Sequence, residues 1–178
     1  MIKEDLAHFF RIYKIKNKIS TINVIKYSFH PRFSCVAIYR ASKYFHLKKM
    51  RILSRLLQLL NSIIYGVEIS MDTDIAGGLF IPHTYGIVIG ASKIGKNSVI
   101  YQGVTLGAKE LDVPFNHSSR PTIGDNVIIA SGAKVIGGIS IGNNVTIAAN
   151  SVVLHSCEDH CVIGGMPARI LKVKDVVV

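Results

Sequence analysis

Aliphatic residues recur at every sixth position between residues 69 and 153, and small or turn-forming residues separate them, as in residues 141–146, IGNNVT. A fixed repeat is typical of a solenoid, because each unit cannot bury its apolar side chains alone and must stack on its neighbours. The period of six differs from the periods of a helix face and of a simple strand. The pattern therefore predicts short strands joined by corners, with the aliphatic side chains inside. The repeat positions are Ile69, Ile75, Ile81, Ile87, Ile94, Ile100, Leu106, Ile123, Ile129, Val135, Ile141, Ile147 and Val153.

The repeat is interrupted twice, by one extra residue before Ile94 and by a long insertion at residues 107–122. Thirteen units at three per turn predict a little over four turns. The insertion is too long for a corner and is predicted to project as a loop, a type of segment that often carries function. After Val153 the spacing is lost, which predicts a C-terminal tail at residues 158–178. The alternative is a β-sandwich, although its turns recur at about 8–12 residues.

Residues 1–66 are predicted to be helical and to form a separate segment from the solenoid at 67–178. Apolar residues recur at spacings of three or four over residues 1–28 and again over about residues 33–65. The dipeptide His30-Pro31 marks a break, because a residue before proline avoids the helical conformation. Gly66 is expected to end the last helix.

The net charge of +10 belongs to the helical segment. Residues 1–66 hold 13 Lys and Arg against 2 Asp and Glu, whereas residues 67–178 hold 8 against 9. Such asymmetry fits a peripheral membrane contact, an anionic glycan or a solvated helix face. Its centre is the cationic patch of Lys48, Lys49, Arg51 and Arg55, whose helix could instead pack on another subunit or on the solenoid. No nucleic-acid motif accompanies it, so no nucleic-acid partner is expected.

The three cysteines, Cys35, Cys157 and Cys161, are expected to be free thiols in a reducing compartment. The first residues are too polar for a secretory signal, and no uncharged apolar run is long enough for a membrane span. The sequence thus predicts a cytoplasmic protein, or one peripheral to the inner face of the membrane.

Two of the seven histidines stand apart. His83 interrupts the small residues of a predicted corner, and His117 lies in the insertion. Imidazole titrates near neutrality and can take a proton from a hydroxyl. A lone histidine is nevertheless more often an ordinary surface or hydrogen-bonded residue.

Residues 67–172 resemble the serine acetyltransferase branch of the hexapeptide-repeat acyltransferases. The matching stretches are residues 81–90, IPHTYGIVIG, residues 104–107, VTLG, residues 121–124, PTIG, and residues 165–169, GMPAR. The resemblance implies a left-handed parallel β-helix and a homotrimer, or a dimer of trimers. It also implies acetyl-CoA as co-substrate, bound between neighbouring solenoids, and no metal.

The resemblance places the catalytic histidine at His83 and an orienting carboxylate at Glu68. A carboxylate on one imidazole nitrogen raises the basicity of the other. His83 is therefore expected to deprotonate an acceptor hydroxyl that attacks the acetyl thioester directly. A backbone N–H near Gly107 or Ala108 is expected to stabilise the oxyanion.

Motif position also predicts the coenzyme site. The slot for the pantetheine arm matches small residues at Gly107, Ala108, Ser131 and Ala149. Lys134, Arg169 and Lys172 are candidates for the phosphates. Corner geometry is the simpler explanation for the small residues, and a solvated surface for the cations.

Two departures from the serine acetyltransferase pattern affect the acceptor. Pro82 stands where those enzymes have an Asp before the histidine, and Ser119-Arg120 replaces an Arg-His pair, with His117 three residues earlier. Arg120 and His117 are expected to bind substrate. The changes predict a sugar hydroxyl in capsule, exopolysaccharide or O-antigen synthesis as acceptor. The alternatives are serine O-acetylation for cysteine synthesis, a metal enzyme like the γ-class carbonic anhydrases using His83 and His117, and a non-catalytic scaffold.

Overall fold

The computed structural model describes residues 1–175, in which four helices precede a series of short strands. The helices are α1 (Ile2–Ile12), α2 (Thr21–Tyr27), α3 (Ser34–Leu47) and α4 (Arg51–Tyr65), and a 3-10 turn spans His117–Ser119. The strands are β1 (Val67–Ile69), β2 (Asp74–Ile75), β3 (Ile87–Ile89), β4 (Lys93–Ile94), β5 (Val99–Ile100), β6 (Thr105–Gly107), β7 (Thr122–Ile123), β8 (Ile128–Ile129), β9 (Lys134–Ile136), β10 (Ser140–Ile141), β11 (Thr146–Ile147), β12 (Val152–Val153), β13 (Cys161–Gly165) and β14 (Ala168–Val173).

The strands stack into three sheets that enclose one core. The first sheet has the order β1-β3-β6-β9-β12, the second β10-β7-β4-β2, and the third β14-β13-β11-β8-β5. Every pairing is parallel except that of β13 with β14. Within residues 122–153, partners are 18 residues apart, as for Val153 and Val135 or Ile141 and Ile123. Three six-residue units therefore make one turn, and the predicted solenoid is confirmed.

The repeat positions predicted from the sequence lie in the core. All thirteen are buried, and Ile69 is the most exposed of them at 5%. Burying aliphatic side chains on successive turns removes their apolar surface from water and holds the turns together. Corners form where the backbone adopts a left-handed conformation, for example at Asn97, Asn126 and Gly132. Asn and Gly tolerate that conformation better than other residues do.

The C-terminal tail was predicted to begin at residue 158, which is too early. Ile163 of β13 pairs with Ile147, so the chain still stacks on the solenoid after residue 158. Cys157 likewise bridges to Ile141 of the second sheet. The spacing from Val153 to these two residues is no longer a multiple of six, which hid the last turn from the sequence pattern. Among the strands of residues 1–175, only β14 turns back, in antiparallel pairing with β13. Residues 176–178 of the predicted tail lie outside the described residues.

Over residues 33–65 the structure has two helices where the sequence predicted one helical stretch. A turn at residues 48–50 separates α3 from α4, and Lys49 has a left-handed φ of 61°. Gly66 ends α4 with a left-handed φ of 60°, as predicted. A side chain would not fit at Gly66, because a Cβ there would lie 2.9 Å from the Cα of Tyr85. This close contact joins the last helix to the first turns of the solenoid.

The helices pack on the solenoid through a buried ion pair and an aromatic cluster. Asp5 of α1 and Arg40 of α3 are buried and joined by two hydrogen bonds of 2.8 and 2.9 Å. Phe9 of α1 lies against Phe80 of the solenoid, with ring centroids 5.8 Å apart. The helical segment thus shares a core with the first turns of the solenoid. Whether the two parts act as separate domains stays a prediction.

Candidate functional site

The histidine singled out by the sequence lies on one edge of the solenoid. Phe80 pairs with Val99 in the third sheet, and β3 of the first sheet begins at Ile87. The residues between them, 82–86, therefore form the corner between these two sheets. Later turns stack residues 101–103, 130–132 and 148–150 on it, through hydrogen bonds of 2.8–3.0 Å from the amides of Gly103, Gly132 and Asn150. We call this edge the His83 corner.

The His83 corner combines an exposed base with small residues. The His83 ring is exposed and lies 6.2 Å from the Tyr101 ring, centroid to centroid. Ser131 is half-buried and Ala149 is exposed, one turn apart on the same edge. The close stacking of successive turns explains the glycines at 103 and 132, because a Cβ on Gly103 would lie 3.4 Å from the backbone of Gly132. The corner thus brings His83 to the same edge as two of the four predicted slot residues.

Glu68 occupies the outer face of the first sheet. It is exposed, and its strand pairs with β3 at Val88. It lines a cavity of about 580 Å³ beneath α4, together with Arg51 and Arg55. Among residues 1–175, no hydrogen bond joins the Glu68 carboxylate to the His83 ring. Orientation of His83 by Glu68 stays a prediction.

The other two slot residues lie on the opposite edge of the first sheet. Gly107 ends β6 and pairs with Ile136, and its carbonyl accepts a 2.9 Å hydrogen bond from the amide of Gly137. A Cβ on Gly107 would meet no atom within 4 Å, so this stretch of backbone is open on its side-chain side. The four small residues therefore do not line one slot within a chain, because Gly107 and Ala108 share one edge and Ser131 and Ala149 share the other.

The insertion folds back on this second edge through Arg120. Its Nε donates a 2.7 Å hydrogen bond to Asp112, its Nη2 donates to the same carboxylate, and its Nη1 donates a 2.8 Å hydrogen bond to the carbonyl of Gly90. The guanidinium carbon lies 3.9 Å from the centroid of the Phe115 ring. The Arg120 guanidinium, with the Ser119 hydroxyl, holds the pKa of Asp112 well below its ordinary value.

These contacts bear on the two predicted substrate-binding residues. Three donors of Arg120 are engaged inside the protein, so the side chain fixes the loop. His117 is exposed, and its Nδ1 lies 3.1 Å from the hydroxyl of Ser92. His117 and Arg120 share the insertion, whereas His83 lies on the other edge. Sequence reasoning missed Asp112, whose separation of eight residues from Arg120 gives no periodic signal. Binding of substrate by His117 and Arg120 stays a prediction.

The three predicted phosphate-binding cations occupy different parts of the solenoid. Lys134, on the outer face of the first sheet, donates a hydrogen bond to the carbonyl of Gly103 in the His83 corner. Arg169 pairs with Gly164, and a Cβ on Gly164 would lie 2.9 Å from the side chain of Ala148. Arg169 is therefore one turn below the His83 corner. Lys172 is exposed on β14.

In residues 1–175, no three His, Cys, Asp or Glu side chains come together in an arrangement that could hold a metal ion. His83 and His117, the two ligands considered for a metal enzyme, lie on opposite edges of the first sheet.

Comparison with known proteins identifies the repeat. Residues 120–155 match the family model described as bacterial transferase hexapeptide (six repeats). The repeat is a bacterial transferase hexapeptide repeat. A serine acetyltransferase of Synechococcus elongatus is 38% identical over 143 residues, which cover 80% of this chain and 57% of that protein. The chain thus spans less than two thirds of this relative's length.

The similarity to solved structures extends over the N-terminal helices as well as the solenoid. The crystal structure of serine acetyltransferase from Neisseria gonorrhoeae superposes with a TM-score of 0.81 and 26% identity, covering 97% of this chain and 65% of that one. A serine acetyltransferase solved in complex with CoA gives a TM-score of 0.78 and 28% identity, covering 96% and 68%. The predicted fold class, a left-handed parallel β-helix with a short N-terminal helical segment, is confirmed. None of these relatives is named as a polysaccharide acetyltransferase.

Proposed function

We propose that the protein is an acetyl-CoA-dependent O-acetyltransferase with His83 as its general base. The observation that carries the proposal is the exposed imidazole of His83 on a solenoid edge where the later turns present the small residues Ser131 and Ala149. An exposed base beside small side chains has room for both an acceptor hydroxyl and an acyl group. The names of the relatives support the same reaction, as does the CoA complex among the similar structures.

In the proposed reaction one His83 nitrogen takes the proton of the acceptor hydroxyl. The hydroxyl oxygen attacks the thioester carbonyl carbon, a backbone N–H near Gly107 or Ala108 of a neighbouring copy stabilises the oxyanion, and the carbon–sulfur bond then breaks. The CoA thiolate leaves and recovers the proton from the imidazolium. No enzyme thiol takes part. Burial raises the pKa of Cys157, and Cys161 is itself buried.

A coenzyme site between two copies follows from the same proposal. The open backbone at Gly107 and the small residues of the His83 corner lie on opposite edges of the first sheet. In a homotrimer of parallel solenoids, one edge of a copy would face the other edge of its neighbour. The slot would then combine Gly107 and Ala108 of one copy with Ser131 and Ala149 of the next. Lys134, Arg169 and Lys172 are proposed to contact the phosphates. A dimer of trimers is the larger assembly to test.

L-Serine is the proposed acceptor, because the relatives are named as serine acetyltransferases. The comparisons thus favour the alternative of the sequence analysis over the sugar acceptor that was its main expectation. They give no support to a role in polysaccharide synthesis.

A sugar hydroxyl is the second candidate, and two observations favour it. Serine carries an ammonium and a carboxylate, and binding either away from water needs a counter-charge. The residue before His83 is Pro82, which is uncharged and buried, and the Arg120 guanidinium is already bound by Asp112 and Gly90. A neutral sugar hydroxyl needs neither charge.

The experiment measures thiol release from acetyl-CoA by the purified chain, with L-serine, sugars, nucleotide sugars or bacterial polysaccharides as acceptors. His83→Ala should lower acetyl transfer by about 10²–10⁴-fold. His155→Ala is the matched control, since His155 is an exposed histidine beyond the last repeat position. Full transfer by the His83 variant would remove the proposed base. Transfer to a sugar with serine inert would replace the first acceptor by the second.

A thermal-shift measurement on the same purified chain distinguishes an enzyme from a non-catalytic scaffold. CoA should raise the apparent melting temperature of the chain, because a ligand that binds only the folded state stabilises it. No thermal shift together with no turnover would support the scaffold instead.

A further inference from the structure

Helix α4 is oriented with its apolar side outward. Ile52, Leu56, Leu59 and Ile63 recur at spacings of four, three and four, so they form one stripe along the helix. They are exposed by 79, 56, 55 and 72%. The residues that α4 buries are polar, Ser54 and Asn61. A helix usually buries its apolar stripe, so this surface is built to be covered by something outside the chain.

Packing against α3 fixes the orientation of α4. The hydroxyl of Ser42 in α3 donates a 2.9 Å hydrogen bond to the carbonyl of Ser54. Gly66 at the end of α4 lies against Tyr85 of the solenoid. Because the small polar residues face the protein and both ends of the contact are tied down, the apolar stripe cannot turn inward without breaking the α3–α4 contact.

The charge around the stripe indicates what covers it. Residues 6–67 contain twelve Lys and Arg and no Asp or Glu. Arg51 and Arg55 each precede a stripe residue by one position, so they flank the stripe at about 100° around the helix. Lys48 and Lys49 lie in the turn just before α4 and are exposed. Glu68 and Asp72 of the solenoid line a cavity with Arg51 and Arg55, but the four cations outnumber these two carboxylates. An apolar strip beside an excess of cations complements an anionic lipid surface.

We infer that α4 docks the protein on anionic phospholipid membranes. The stripe would enter the acyl boundary, while Lys48, Lys49, Arg51 and Arg55 contact lipid phosphates. A second copy is a poorer partner for this face, since pairing two identical cationic segments brings like charges together. The mode is peripheral, and within the described residues no helix is long and apolar enough to cross a membrane. The inference does not depend on the proposed reaction.

The experiment is flotation of the purified full chain with phosphatidylcholine vesicles, with and without phosphatidylglycerol. Binding should require phosphatidylglycerol and weaken as salt is raised, because salt screens the attraction between cations and lipid phosphates. A variant with Lys48, Lys49, Arg51 and Arg55 changed to Gln should lose binding about 25-fold or more, since two cations acting at full strength already give that factor.

Two control variants test whether binding depends on the α4 surface or only on the total charge and the exposed apolar area of the protein. Arg11, Lys14, Lys16 and Lys18 are also exposed, so changing these four to Gln removes the same charge from other elements and should weaken binding much less. Ile52→Gln with Ile63→Gln should weaken binding about tenfold or more. Leu111→Gln with Val113→Gln, at exposed apolar residues of the insertion, should leave it unchanged.

Two results would overturn the inference. One is equal binding by the α4 variants and their controls. The other is no vesicle binding by the native chain while its native mass falls on changing Ile52 and Ile63, which would assign the stripe to a second copy. Because the α4 changes are at exposed positions, far-UV circular dichroism should show unchanged folding in all variants.

Discussion

The buried carboxylate of Asp5 is the contact whose loss should cost the fold most. Asp5 is fully buried and accepts four hydrogen bonds. Two come from the Arg40 guanidinium, and two of 2.8 and 2.9 Å come from the backbone amides of Gly78 and Leu79. Arg40 also donates to the carbonyls of Ile75 and Ala76. One ion pair therefore joins α1, α3 and the first turn of the solenoid.

The change Asp5→Ala should destabilise the protein by about 3–5 kcal/mol. Removing one partner of a buried ion pair leaves the other charge uncompensated away from water, and that penalty has this size. The amides of Gly78 and Leu79 also lose their acceptor, so we expect the upper part of the range. The adjacent Glu4 is the matched control. Its side chain is 63% exposed and 3.7 Å from the N-terminal ammonium, so Glu4→Ala should cost less than about 1 kcal/mol.

The assay is urea unfolding followed by far-UV circular dichroism, at one protein concentration so that any self-association affects all variants alike. The double variant Asp5→Ala, Arg40→Met completes the cycle. Replacing both charges should cost less than the sum of the single changes, since neither charge is then left alone. The reasoning would be refuted if Asp5→Ala fell within about 1 kcal/mol of Glu4→Ala, or if the two single costs simply added.

Three further predictions concern the insertion, the thiols and the open backbone. Because Arg120 lowers the folded pKa of Asp112, the ion pair stabilises the loop above the unfolded pKa of about 3.9, and this stabilisation is lost as the pH falls through the folded value. The protection of insertion amides, measured relative to their intrinsic exchange rate at each pH, should therefore fall in acid, and Asp112→Asn should abolish that pH dependence. Burial raises the pKa of Cys35 to about 12 and also raises the pKa of Cys157. In native protein at about pH 8, iodoacetamide should therefore label Cys157 slowly and Cys35 only after unfolding, as measured by mass spectrometry. Rapid labelling of Cys35 in the native protein would contradict its burial. Gly107→Ala should leave the urea midpoint unchanged, because a Cβ there meets open space, yet weaken acetyl-CoA binding in calorimetry. Unchanged affinity would remove Gly107 from the proposed slot.

The solenoid was predictable because its signal is local and repeated. Every repeat position from Ile69 to Val153 is buried, and the left-handed end of α4 falls at the predicted Gly66. The break between α3 and α4 was missed, since Lys49 adopts a left-handed φ that its residue type does not announce. The last turn was missed because Ile163 stacks without keeping the spacing of six.

The candidate site was predictable in its residues but not in its layout. His83 stands out within its corner by composition alone. The insertion of residues 107–122 hides the register between Gly107 and Ser131, so their places on opposite edges of the first sheet became visible only in the structure. The ion pairs Asp5–Arg40 and Asp112–Arg120 could not be predicted from the sequence either. Asp5 and Arg40 are 35 residues apart, and such pairings depend on how distant elements meet.

Five of the seven arginines divide into two groups, and this division limits how the proposed acceptor could be held. Arg40 and Arg120 are bound by carboxylates and fix the helices and the insertion. Arg51, Arg55 and Arg169 are exposed, and in the described structure no carboxylate lies within ion-pair distance of them. Arg51 and Arg55 belong to the proposed membrane face, and Arg169 lies below the His83 corner. Within one chain, an anionic acceptor group at His83 therefore finds no free arginine in the insertion. The proposed acceptor would then be neutral at that point, or its charge would be met by groups other than the arginine of the insertion.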